Sequence, residues 1–170
     1  MKIGIISDSH RKIELLQNAI KRLKSDGAEF LVHAGDIVLE ESLQLLENSG
    51  LPYQAVFGNN DFHLLSFADK YNIANEPHYF KIGKISAKLM HYPYYLNGDT
   101  DLVIFGHTHY FEAEYKNDTL YINPGEICAR KKPVSEFALI EKGKESWSVY
   151  HYEKDMLKEN SDYSINKVKP

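Results

Sequence analysis

The stretch Lys2-Ile3-Gly4-Ile5-Ile6-Ser7-Asp8-Ser9-His10 opens as a short apolar run and breaks into four polar residues. A run this short and this rich in isoleucine reads as a buried strand. Behind it Ile13, Leu16, Ile20 and Leu23 recur at helical spacing until Gly27 closes the segment. The pattern then repeats. Residues 29–33 (EFLVH) predict a second strand ending at Gly35 and Asp36, and Leu39, Leu43 and Leu46 predict a second helix stopped by Gly50 and Pro52. Tyr53 to Phe57 predicts a third strand that runs into Gly58, Asn59, Asn60 and Asp61. Strand–helix–strand–helix–strand order implies parallel strands joined by right-handed crossovers.

The second half changes character. Residues 78–82 and 85–91 predict two strands around Gly83, and Leu102 to Phe105 predicts an apolar strand leading to Gly106, His107, Thr108 and His109. Residues 110–116 and 119–122 read as a hairpin around Asn117 and Asp118, and residues 134–140 and 145–151 as another around Gly143. The expected fold is α/β: two mixed β-sheets packed face to face and flanked by helices, a four-layer α-β-β-α sandwich. One domain is expected over residues 1–152. Residues 153–170 are polar and weakly patterned, which predicts a mobile tail or a short docked helix.

Composition limits the function classes. A chain of 170 residues suits one domain, which buries roughly two-thirds of its unfolded surface. A net charge of −4 argues against a dedicated nucleic-acid binder, which carries a basic face. No apolar run approaches the ~18 residues of a membrane span, so no membrane association is expected. The lone Cys128 excludes an intrachain disulfide and fits a reducing compartment, the cytoplasm.

Side chains of the kind that bind metals recur where strands end. Asp8 and His10 follow the first strand, Asp36 the second, and Asn59 and Asp61 the third; His91 ends a later strand, and His107 and His109 follow the next. In open parallel sheets, ligands gather beyond the carboxyl ends of the strands. Any one of these residues alone reads better as a cap or a solvated polar group. The ordered set does not.

As a set, Asp8-Ser9-His10, Gly35-Asp36, Gly58-Asn59-Asn60-Asp61, His91 and Gly106-His107-Thr108-His109 resemble the calcineurin-like metallophosphoesterases. Asn123-Pro124-Gly125-Glu126 and the chain length further resemble the small single-domain phosphodiesterases of that superfamily, and the likeness runs over roughly residues 1–150. It implies the metallophosphoesterase fold and hydrolysis of small phosphate esters, chiefly diesters. By position, it implies that Asp8, His10 and His109 hold one divalent metal ion, that Asn59, His91 and His107 hold another, and that Asp36 bridges the two. A donor set of imidazoles, carboxylates and an amide oxygen suits Mn²⁺ first, with Fe, Zn²⁺ or Ni²⁺ as alternatives. The expected nucleophile is a hydroxide bridging the metals. Asp61 is expected to orient a ligand histidine from behind, with His33 in a similar supporting part or as a satisfied core histidine.

Two departures bear on catalysis. Many members of the superfamily have a histidine general acid after the motif asparagine; here that position is Asn60, whose amide has no proton to give. Tyr92 follows His91 where relatives often have glycine, and Tyr92-Pro93-Tyr94-Tyr95 either walls the pocket or covers the core. Cys128 reads as packing, Arg11 as solvated rather than phosphate-binding, Lys131-Lys132 as too small a basic pair for a nucleic-acid track, and His63, His78 and His151 as solvent-facing. The aromatic content, 12 Tyr and 8 Phe, hints at a homo-oligomer, a dimer or tetramer. Two rival functions are a protein-binding scaffold of the same fold, like the retromer subunit that resembles these enzymes, and a nuclease. The first should lack a ligand, and the second should carry more positive charge.

Overall fold

A computed structural model describes residues 1–144, 146–159 and 161–170. The chain forms β1 (Lys2–Ile6), α1 (Ile13–Ser25), β2 (Phe30–His33), α2 (Glu40–Glu47), β3 (Tyr53–Val56), a 3-10 helix (Phe62–Phe67) and β4 (Ile73–Ala74). There follow β5 (His78–Ile82), β6 (Ile85–Leu89), β7 (Leu102–Ile104), β8 (Phe111–Lys116), β9 (Thr119–Pro124), β10 (Val134–Lys142), β11 (Trp147–Asp155) and β12 (Ser164–Val168). Glu145, where the sequence reading starts the eleventh strand, lies outside the described residues, as does Asn160.

Two mixed sheets result. A seven-stranded sheet runs β12-β11-β10-β1-β2-β3-β4 and a five-stranded sheet runs β5-β6-β7-β9-β8. In the first, β1, β2, β3 and β4 are parallel, as the crossover pattern requires. In the second, β6, β7 and β9 are parallel. Alternation along β1 explains how the sheets meet. Ile3 and Ile5 point into the layer between the sheets with Leu89, Leu102, Ile104 and Ile122, while Ile6 points the other way onto Leu16 and Leu23 of α1.

The α-helices among the described residues lie on one side. Both α-helices among the described residues pack on the outer face of the seven-stranded sheet, α1 through Leu16, Ala19 and Leu23 and α2 through Leu43 and Leu46. The outer face of the five-stranded sheet carries Met90, Val103 and Phe105 with Tyr121, and residues 92–100 above it form no helix. Pro93 and Gly98 interrupt that short connection. The tail departs from expectation: β11 continues to Asp155, and Ser164–Val168 pairs antiparallel with it as an edge strand. Its side chains are mostly exposed, so it lacks the apolar alternation that announces a strand. No helix among the described residues is long and apolar enough to cross a membrane.

Candidate metal centre

The polar strand ends converge. Asp8 follows β1, Asp36 follows β2, Asn59 follows β3, His91 follows β6, and His107 and His109 follow β7. Asp8, His10, Asp36, His107 and His109 all have left-handed backbones, with φ between 46° and 66°. That conformation is costly for side chains other than glycine, and its clustering at strand ends of both sheets marks a site held in place by its surroundings. Two glycines make the approach close enough. A Cβ on Gly58 would strike the backbone nitrogen of Asp36, and one on Gly106 would strike the Ser7 hydroxyl.

One ion-sized cluster comprises Asp8, His10, Asp36 and His109, whose ligand atoms all lie within 4.8 Å of one another. Nε2 of His109 is 3.2 Å from Oδ1 of Asp8, and Nε2 of His10 is 3.6 Å from Oδ2 of Asp36. On the other side of Asp36, Nε2 of His91 lies 3.5 Å from Oδ1 of Asp36, 3.0 Å from Oδ1 of Asn59 and 3.3 Å from Nδ1 of His107. Spacings near 3 Å are what donors about 2.1 Å from a shared ion would have.

The protons of this cluster are decided by its outer partners. His91 donates from Nδ1 to the carbonyl oxygen of Ala34 at 2.8 Å, leaving a lone pair on Nε2 that faces the oxygens of Asn59 and Asp36. His109 donates from Nδ1 to Oε2 of Glu126 at 2.5 Å, leaving its Nε2 lone pair facing Asp8. Oδ1 of Asp8 and Nε2 of His10 are buried with no hydrogen-bond partner among the described residues. Lone pairs aimed at lone pairs are repulsive until a cation stands among them. The residues therefore fit divalent metals.

Burial shifts the titrations here. Burial is the largest cause holding Asp8 above the usual carboxylate range, and burial lowers His10 and His107. His109 moves up: burial opposes its charge, but the hydrogen bond to Glu126 and the field of Asp8 outweigh it.

The supporting residues differ from expectation. Among the described residues Asp61 hydrogen-bonds to no histidine. Its carboxylate accepts backbone N–H groups from Val38 and Gly58, both at 2.7 Å, and from Ile37 at 3.1 Å, tying the loops after β2 and β3 together. His33 touches no ligand side chain by hydrogen bond; its Nε2 pairs with Oγ of Ser9 at 2.9 Å. Asn60 donates from Nδ2 to Oδ2 of Asp36 at 2.7 Å and from its backbone to Oδ1 at 2.9 Å, so it steadies the central carboxylate. Sequence reasoning misses the partner Glu126, although it lies in the Asn-Pro-Gly-Glu motif. It also misses Glu76, whose carboxylate receives the backbone N–H groups of His91 and Tyr92.

Of the tyrosine stretch, Tyr92 lies against the His107 ring at 4.2 Å between centroids, and Tyr94 stacks on Tyr92 at 4.9 Å. Tyr92 thus walls the site. Cys128 donates to Glu126, and burial pushes its thiol up, consistent with packing. His151 is buried rather than solvent-facing, stacked on Phe111 at 3.8 Å. It adjoins Glu136 and Glu153, but Glu136 is already paired with Lys132 at 2.5 Å.

Residues 1–145 match the family described as the calcineurin-like phosphoesterase superfamily domain. Phosphodiesterase MJ0936 of Methanocaldococcus jannaschii is 27% identical over 161 residues, covering 86% of this chain and 96% of that protein. Probable metallophosphoesterase YsnB of Bacillus subtilis is 29% identical over 161 residues, covering 90% of this chain and 91% of that protein. Among solved structures, an archaeal phosphodiesterase superposes with a TM-score of 0.76 at 27% identity, over 89% of this chain and 99% of that one. A single mutant of Vps29 from Entamoeba histolytica reaches 0.74 at 22% identity over 99% and 100%, a likeness of fold alone.

Proposed function

The chain belongs to the calcineurin-like phosphoesterase superfamily, and from that premise we propose that it hydrolyses phosphodiesters with two divalent cations bound side by side across Asp36. The single observation that carries this reading is the Nε2 lone pair of His91, fixed by the proton given to Ala34 and aimed at the oxygens of Asn59 and Asp36. Asp36 has a donor cluster on each of its two oxygens, which is the arrangement a shared carboxylate needs. When bound, the cations supply an activated water and neutralise charge on the phosphoryl oxygens. Mn²⁺ is the first choice for this mixture of imidazole, carboxylate and amide donors.

The chain's own residues do the rest. Asp8, His10 and His109 hold one side and Asn59, His91 and His107 the other. Oδ1 of Asn59 faces the two histidines, which leaves its amide N–H groups to donate to a phosphoryl oxygen. Asn60 stands where a general acid would serve, yet it can only donate to Asp36, so the leaving oxygen departs without a proton from that position. Esters of acidic phenols are the substrates this arrangement favours.

The test is turnover of bis(4-nitrophenyl) phosphate with added Mn²⁺, its loss on chelation and its return on Mn²⁺ addition. Absence of turnover with Mn²⁺, Fe²⁺, Zn²⁺ and Ni²⁺ alike overturns the proposal in favour of a binding scaffold. Against that scaffold stands the complete ligand set.

A further inference from the structure

A cavity of about 680 Å³ opens beside the ligand cluster, lined by its His10 and by Asn60, which steadies Asp36. Arg11, Lys12 and Arg130 line it, and Arg130 continues with Lys131 into the adjoining hollow over Asp36, Asn59 and His107. All four cations are exposed. Among the described residues none of them is ion-paired with a carboxylate. Among the described residues no carboxylate lines the larger cavity, in a chain whose net charge is −4. A cleft lined by one sign of charge concentrates ligands of the other.

The fold that builds the metal centre also holds these cations. Arg11 and Lys12 directly follow the ligand His10, and Lys12 opens α1 without a side-chain cap, leaving the first-turn N–H groups free to favour an anion. Arg130 and Lys131 ride on a loop whose backbone is pinned to the Asp8 strand end. Ile127 and Cys128 donate to the carbonyl oxygens of Ser7 and Asp8 at 3.1 Å, and the Lys131 N–H donates to Oε1 of Glu126 at 2.7 Å. Glu126 therefore ties the cationic loop to the ligand His109 through one carboxylate.

We propose that the substrate is a phosphate ester carrying a second phosphate group, which seats on Arg11, Lys12 and Arg130 while the scissile phosphate lies over Asp36. This rests on the hydrolytic function proposed above. Guanidinium forks match phosphate oxygens in shape as well as charge. A cavity in the range of ~300–1,000 Å³ is large enough for a nucleoside-sized substituent between the two phosphates.

The experiment compares thymidine 5′-(4-nitrophenyl phosphate) with its 3′-phosphorylated form, which share the same leaving group. The second phosphate is expected to raise kcat/KM about tenfold or more, the scale of one charge-assisted hydrogen-bonded contact. In Arg11→Gln and Arg130→Gln that ratio is expected to fall toward one. A ratio near one in the unmodified protein, or a ratio that survives both substitutions, overturns the proposal. If neither ester nor bis(4-nitrophenyl) phosphate is turned over, the hydrolytic reading fails and calorimetry decides the cleft separately. Binding of thymidine 3′,5′-bisphosphate that weakens about tenfold in Arg11→Gln and Arg130→Gln keeps the anion site; equal or absent binding removes it.

Discussion

Oε2 of Glu126 lies 2.5 Å from Nδ1 of His109, fixing which imidazole nitrogen faces Asp8. Glu126 is fully buried. Burial alone would raise its pKa, but hydrogen bonds from His109, the Cys128 thiol and the backbone of the following loop hold it down at about 2. It therefore stays ionised while orienting His109. Glu126→Gln is expected to weaken metal retention about 10- to 100-fold, the usual cost of losing a ligand's outer partner. Competition against a chromogenic chelator measures this, and retention equal to the unmodified protein contradicts the assigned role.

Asn60 should shape substrate preference. With only an amide at this position, rate should depend steeply on leaving-group pKa across a series of substituted phenyl diesters. Asn60→His is expected to flatten that dependence and to help alkyl esters most, toward the ~10²–10⁴-fold that a general acid supplies. An unchanged slope would mean that the position has no access to the leaving oxygen.

His33 makes stability sensitive to acid. Its full burial, with a smaller contribution from neighbouring His91, lowers its pKa from 6.5 to about 3. A histidine kept neutral in the fold but free to protonate when unfolded stabilises the protein above pH 6.5, and that stability drains away as pH falls from there toward 3. Urea midpoints of chelated protein between pH 7 and pH 4 should therefore fall. His33→Gln should remove close to one proton's worth of the slope. An identical slope in His33→Gln rules this source out.

Asp61 is a structural staple rather than a histidine orienter. Asp61→Ala leaves three backbone N–H groups, those of Ile37 and Val38 buried and that of Gly58 half-buried, without their acceptor. The expected loss is at least about 2 kcal/mol in urea unfolding, since each orphaned group costs about 1–3 kcal/mol before relaxation or water entry. A loss below about half a kcal/mol would show that the loops after β2 and β3 hold together by other means.

The contrast between Asp61 and Asp8 shows what was legible in the sequence. Asp8, Asp36, Asn59, His91, His107 and His109 sit where an apolar run stops, so local pattern alone places them at strand ends, and parallel order gathers the ends. The partners of Asp61 and Glu126 are set by tertiary approach: Asp61 reaches back to Ile37 and Val38, and Glu126 to His109 across 17 residues. No local periodicity encodes such contacts. β12 was hidden for another reason, because an exposed edge strand has no apolar face to display. Likewise His151 sits at a position that alternation along β11 turns inward, onto Phe111 of the opposite sheet.

The sharing of Asp36 between two cations is the claim on which the hydrolytic reading stands. Electron paramagnetic resonance of the manganese-loaded protein tests it most directly. The expected spectrum shows two ions per chain with the exchange coupling of a bridged pair, and Asp36→Asn is expected to lose that coupling together with turnover. A single uncoupled ion per chain in the active unmodified protein, or coupling and turnover that persist in Asp36→Asn, would contradict it.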